Sequence, residues 1–177
     1  MNAGTGSARP KGKSALSAAE LAAVLEKHKV WVGSGWEMGK RADLHGCDLH
    51  GRRLPGALLP DADLHRCDLH RAVLPEAEFE CADLHRADLH DADLKGADLQ
   101  YADLHAADLR RADLRRALLR EADLHNADLH GANLKYADLT KADLCGANLE
   151  GAKGLTRAQL MHAHTDAATR LPAVIEP

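Results

Sequence analysis

From Ala42 onward, apolar and polar positions recur with a period of five. The stretch Ala82 to His105 reads ADLHRADLHDADLKGADLQYADLH, with Leu84, Leu89, Leu94, Leu99 and Leu104 as its beat. Alanine stands two positions before each leucine and aspartate one before. The period is neither the 3.6 of a helix nor the 2 of a strand. A fixed short period is the mark of a stacked architecture. The frame runs without insertion from Ala42 to Gly151, which is 110 residues or 22 units of five.

The central residue is leucine in every unit except the one centred on Phe79. The small position two before it is alanine nearly throughout, with Cys47, Cys67 and Arg52 as exceptions. Two positions therefore point inward and three point out. A unit of this kind makes one short strand and one turn, and cannot bury its leucine without stacking on its neighbours. Arg52 at an inward position calls for either an acidic partner or a side chain splayed out beneath whatever covers the first coils.

The flanks follow other patterns. Residues 1–14 are rich in Gly, Ser, Ala and basic residues and predict a disordered tail. Residues 15–40 predict a helical cap. Ser17 and Glu20 form a capping box, Leu21, Val24, Leu25 and His28 share a face, and Gly33-Ser34-Gly35 ends the helix. Trp31 and Trp36 are expected to pack on the first coil of a solenoid that spans 41–152. The frame breaks at Ala152-Lys153-Gly154-Leu155. A second helical cap and tail, 153–177, is predicted from Thr156 and Gln159. Order is expected to end at Leu171-Pro172. Leu155, Leu160 and Met161 on this segment either cap their own coil or leave an apolar end for a second copy of the chain.

Composition limits the function classes. Aromatic residues make up only 3% of the chain, so the core is narrow and built of Leu and Ala. No apolar run is long enough to span a membrane and no signal-peptide pattern opens the chain. The four cysteines lack paired spacing, so a reducing cytoplasmic setting is expected. Residues 42–151 hold 22 acidic and 13 basic residues, a net of −9, and the flanks hold 5 and 10. An acidic body without interleaved aromatics argues against direct nucleic-acid binding. There is no Gly-rich phosphate loop, no HExxH and no nucleophile–base pair distinct from the repeat itself, so no enzyme and no cofactor are expected.

The A-(D/N)-L-x-x pattern resembles the pentapeptide repeat family, and the flanks EKHKVWVGSGWEMGKRADL and GLTRAQLMHAHTDAATRLP are similar to those of bacterial members. The resemblance implies an all-β solenoid, a right-handed quadrilateral β-helix with short α-helical caps at both ends. Four units would make a coil, giving about five and a half coils and a rod about 26 Å tall. Some members mimic duplex DNA and act on DNA gyrase. This chain lacks the outward loops of quinolone-resistance members, and it has leucine where they often use phenylalanine.

Folding the sequence at twenty converts it into columns. One face carries His45, His65, His85, His105, His125 and Cys145, and the next carries His50, His70, His90, Arg110, His130 and Glu150. All nine repeat histidines lie on these two faces, each two residues after an aspartate. Three readings fit. The rings spread and bond the carboxylates structurally; the nine imidazoles protonate near about pH 6 and shift the charge of the body; or pairs of His with a nearby Asp hold a divalent transition metal. Cys145 is the metal or redox candidate among the thiols, and Cys47 and Cys67 read as small core residues. Arg110, Arg111, Arg115, Arg116 and Arg120 form a belt that either pairs with neighbouring Asp or receives a partner. The function these features favour is a protein-interaction scaffold.

Overall fold

A computed structural model describes residues 15–177; the predicted tail 1–14 lies outside the described residues. The rod is built by parallel pairing of residues one coil apart. Asp43 pairs with Asp63, Asp48 with Asp68, Arg53 with Val73 and Leu58 with Glu78, and each ladder continues upward. Four ladders per twenty residues make the cross-section four-sided. Among the described residues the pairing is by single-residue bridges, and no continuous strand forms. Each side is too short for more.

The reason for the five-residue unit lies in its hydrogen bonds. In the unit Ala62–Arg66, all five backbone N–H groups have partners. Ala62 donates to Leu59 O across the turn, Asp63 to Ala42 O below, and Leu64 to Asp83 O above. Arg66 donates to His85 O above, and His65 donates to its own unit's Asp63 Oδ1 at 3.2 Å. A buried backbone donor without a partner costs about 1–3 kcal/mol, so complete accounting matters. The aspartate is thus a turn acceptor. The third turn residue sits at positive φ, glycine or not: Arg66 at 55°, Glu76 at 58°, Tyr136 at 64°.

This explains where the aspartate is dispensable. Arg53, Leu58 and Val73 replace it, and the residues two after them are Pro55, Pro60 and Pro75, which have no N–H to satisfy. Glu78 and Leu118 break the rule, since Glu80 and Arg120 carry an N–H; Leu118 is 39% exposed and leaves Arg120 without the acceptor. We expect Leu118→Asp to stabilise the rod by about 1 kcal/mol in urea unfolding, by accepting from Arg120 N–H and facing its guanidinium. An unchanged midpoint would count against the turn-acceptor role.

The leucine and alanine columns fill the interior. Leu84, Leu94, Leu99 and Leu104 are fully buried, as is Phe79, and Cys47 and Cys67 take alanine places in the same core.

At the start of the rod, helix α1 (Ala18–Gly33) opens on the predicted capping box, Glu20 N donating to Ser17 Oγ at 3.2 Å and Ser17 N to Glu20 Oε2 at 2.8 Å. Leu21 enters the core, and Leu16, Val24 and Leu25 pack against it. Arg52 donates to the Leu16 carbonyl. Its irregular position is therefore used to tie the segment before α1 to the rod. Trp31 stacks on His28 at 5.5 Å, but Trp36 is 64% exposed and only leans on Trp31 at 6.3 Å. The expectation of Trp36 against the first coil fails: the ring stands exposed at a left-handed turn, with Gly35 and Trp36 at φ 68° and 73°.

His28 is fully buried, and its Nδ1 accepts Ala42 N–H at 3.1 Å. The neutral ring must therefore carry its proton on Nε2. Burial holds its pKa below the ordinary 6.5 and Arg41 adds to this, against the opposing pull of the Pro60 carbonyl and Asp61. A depressed folded value means that the unfolded chain takes up the proton first. The stabilisation is complete above about pH 6.5 and is lost as the pH falls toward the folded value. The difference in unfolding free energy between the native chain and His28→Asn should shrink from about pH 7.5 to about pH 5; a constant difference would contradict it.

At the other end, pairing runs past the predicted break. Asn133 pairs with Lys153, Asp143 with His164, Asn148 with Arg170 and Thr156 with Glu176. Order thus continues beyond Leu171-Pro172 to Glu176. Helix α2 (Arg157–Met161) is a five-residue turn with the Thr156–Gln159 box. It is a short excursion from the stacked path. Leu155 is 1% exposed and Leu160 packs on the core, so of the three proposed end residues only Met161, 83% exposed, faces outward. Among the described residues no helix is long and apolar enough to cross a membrane.

Candidate functional site

The turn-acceptor role of each aspartate sets the geometry of the two histidine faces. The histidine two positions on is drawn to the same carboxylate through its backbone N–H. Its ring then lies along the column. Ring centroids are 4.9 Å apart for His45–His65, 5.1 Å for His85–His105, 5.3 Å for His105–His125 and 4.6 Å for His70–His90, with interplanar angles of 4° to 11°. These spacings are those of stacked β-structure.

Within units, Nδ1 meets the carboxylate as well. His45 Nδ1 lies 2.8 Å from Asp43 Oδ1, His65 2.9 Å from Asp63, His70 2.9 Å from Asp68 and His90 2.5 Å from Asp88. In His85, His105, His125 and His130 the aspartate accepts from the backbone N–H. His50 differs. Its Nδ1 turns to the histidine one coil on and lies 2.9 Å from His70 Nδ1, with the rings 3.7 Å apart and tilted by 33°. Sequence periodicity treats every column histidine alike and could not separate this pair.

Metal-ligating atoms converge in four places among the described residues: His50/Asp68/His70, Asp43/His45/Asp63, Asp63/His65/Asp83 and Asp88/His90/Asp108, each set lying within 4.8 Å. Cys145 does not join them. Its pKa is raised to about 11, first by the side-chain hydrogen bond to Asp143, then by desolvation and by the charges of Asp143 and Asp166. Its sulfur is a protonated thiol at neutral pH, which weakens the metal and redox reading. Cys67 is pushed up by burial, as its alanine-like position requires.

The arginine belt is largely engaged. Arg111 is bidentate on Asp91, both contacts 2.7 Å. Arg110 holds Asp108 at 2.7 and 2.5 Å, and Arg115 holds Asp113 at 2.8 and 2.5 Å. Arg120 lies 3.8 Å from Asp138. These guanidiniums hold the carboxyls of Asp91 and Asp113 below the ordinary carboxylate range, chiefly by hydrogen bonding. Arg116 is exposed and makes none of these pairs. The belt is thus mostly a set of fork-on-carboxylate contacts.

The family model for pentapeptide repeats matches in overlapping segments, residues 40–80, 77–116, 97–135, 112–151 and 131–164. Similar solved structures include a pentapeptide repeat protein of the cyanobacterium Cyanothece 51142. It is 29% identical, covers 70% of this chain and 90% of its own, and has a TM-score of 0.31. Another is from the Arabidopsis thaliana thylakoid lumen, with 33% identity, coverage of 60% and 67%, and a TM-score of 0.27. A third is HetL of Nostoc sp. strain PCC 7120, a pentapeptide repeat protein involved in heterocyst differentiation regulation, with 28% identity, coverage of 85% and 78%, and a TM-score of 0.24. No curated protein matches the chain. With the five-residue hydrogen-bond unit repeating along the rod and the family model matching from residue 40 to residue 164, the chain belongs to the pentapeptide repeat family.

Proposed function

We propose that the chain is a non-enzymatic, cytoplasmic scaffold that binds a protein partner along its Asp/His-laddered faces. One observation carries the reading. The inward positions are spent on Leu and Ala packing, and the backbone N–H groups are spent on coil-to-coil bonds and turns. What is left to vary is the outward pair of residues in each unit, held in straight columns on a rigid frame. Such a surface suits recognition. The free cysteines agree with a reducing compartment.

A face-by-face comparison tests this. The native chain, a variant with His85, His105 and His125 replaced by alanine, and a variant with Arg111, Arg115 and Arg116 replaced by alanine are immobilised and exposed to the native cytosol. The scaffold reading expects a protein retained by the native chain and by the arginine variant but lost from the histidine variant. Retention indifferent to both faces would sink it.

DNA mimicry toward gyrase is the second reading, favoured by the ladders of Asp43, Asp63, Asp83, Asp103, Asp123 and Asp143. The forks on Asp91, Asp108 and Asp113 weigh against it by neutralising part of the charge. Supercoiling unaffected by micromolar protein would remove it. A homodimer through the C-terminal end now rests on Met161, since Leu155 and Leu160 serve their own rod. Light scattering of the full chain against Met161→Glu tests that contact; equal masses would remove it.

A further inference from the structure

The contact between His50 and His70 is chemically odd. Two imidazole Nδ1 atoms lie 2.9 Å apart, and the second of them is also 2.9 Å from Asp68 Oδ1. Each Nδ1 can carry one proton at most. If His70 Nδ1 holds it, one N–H is shared between a carboxylate and a nitrogen. If His50 Nδ1 holds it, His70 Nδ1 meets Asp68 with two lone pairs face to face. If both hold protons, two N–H groups collide. No protonation state gives each short contact its own linear hydrogen bond. A cation in the middle satisfies all three atoms at once.

The site is also held in place. His70 is only 8% exposed, and the ring of His90 stacks on it at 4.6 Å and 4°. Asp68 Oδ1 is positioned by His70 N–H at 3.2 Å, and His50 N–H is fixed on Asp48 Oδ1 at 3.0 Å. The other three convergent sets each offer one imidazole with two carboxylates, and in each the imidazole already bonds its own aspartate. Only the His50 set offers two nitrogens.

The geometry points to a divalent transition-metal site formed by His50 Nδ1, His70 Nδ1 and Asp68, which clamps two successive coils and leaves a fourth position open. Two imidazoles and a carboxylate suit a borderline ion such as Zn²⁺. Zn–N bonds of about 2.0–2.1 Å at tetrahedral angles place the nitrogens about 3.3 Å apart, so the pair need open by only a few tenths of an ångström. His50 lies at an exposed position at the rim and can make that movement.

The test uses the chelator-treated full chain and Zn²⁺ as the probe. Calorimetry should find a saturable site with Kd below about 10 µM, weakened at least about tenfold in His50→Gln and in His70→Gln, and unchanged in His105→Gln. Because His70 is buried, its replacement can disturb the fold. His50→Gln is therefore the deciding variant, with its unmetallated melting temperature as the check on folding. At roughly a hundredfold excess over Kd, Zn²⁺ should raise the melting temperature of the native chain by about 5 °C and that of His50→Gln by much less. Binding weaker than about 10 µM, or tight binding and an equal thermal shift in a folded His50→Gln, overturns the site.

Discussion

Leu99→Ala should lower the free energy of unfolding by about 3–5 kcal/mol, measured by urea denaturation. The cost of a buried leucine depends on how far its surroundings can close on the space it leaves. Here they cannot close. Leu99 stands fully buried between Phe79 and Leu119, one coil below and one above. The spacing of those coils is set by the Glu78–Asp98–Leu118 ladder, with Phe79 N donating to Asp98 O at 2.7 Å and Leu99 N to Leu118 O at 2.8 Å. Collapse into the void would stretch these bonds. The cavity therefore persists, and the effect belongs at the upper end of the usual range. A loss under about 1 kcal/mol would mean that the coils slide more freely than their hydrogen bonds imply.

Gly39→Ala should cost about 3 kcal/mol, whereas Gly51→Ala should cost about 1 kcal/mol or less. Both glycines have positive φ, 84° and 62°. Conformation alone does not set them apart by much, because Arg66, Glu76 and many others hold the left-handed region in this rod. Surroundings do. A Cβ on Gly51 meets open space, while one on Gly39 runs into the Lys27 carbonyl and lies 2.7 Å from Trp31 N. Both are backbone atoms of α1 and cannot step aside. The added methyl group would push α1 off the rod, strain the Lys40 N to Lys27 O bond of 3.2 Å, and threaten the His28–Ala42 contact. Amide exchange in α1 should quicken in Gly39→Ala and stay unchanged in Gly51→Ala; equal behaviour of the two would refute the steric explanation.

The period of five made the rod legible, because both inward positions tolerate so few residue types. The Ser17–Glu20 and Thr156–Gln159 boxes were equally plain, since each depends on residues three apart. Other features depend on where the chain goes after it leaves the pattern. Trp36 follows a left-handed turn at Gly35, which no apolar count reveals. The segment after Gly151 continues the stacking although its sequence abandons the motif, because the His164 and Arg170 backbones take the bridging places by themselves. The columns of histidine could be read by folding at twenty. The difference between His50 and its column mates could not, since it lies in one ring's orientation. The exchange of aspartate for other residues before Pro55, Pro60 and Pro75 was readable in principle. It becomes meaningful only once the N–H that the aspartate serves is known.

The four-sided cross-section gives this chain something like a reading frame. Insertion of twenty residues would add one coil and leave every downstream side chain on its own face. Insertion of five would preserve the core equally well, since one unit is as good a neighbour as another, yet it would rotate everything above it by a quarter turn. Beyond the insertion, histidines of the first face would stand over the column of the second, those of the second would stand over the column of Pro55, Pro75, Lys95 and Arg115, and an insertion between Asp91 and Arg111 would part that pair. Stability would scarcely register the change, but any partner reading a face would meet a different molecule. Lengthening by whole coils is thus the silent route for such a rod, and lengthening by a single unit is a frameshift in its surface.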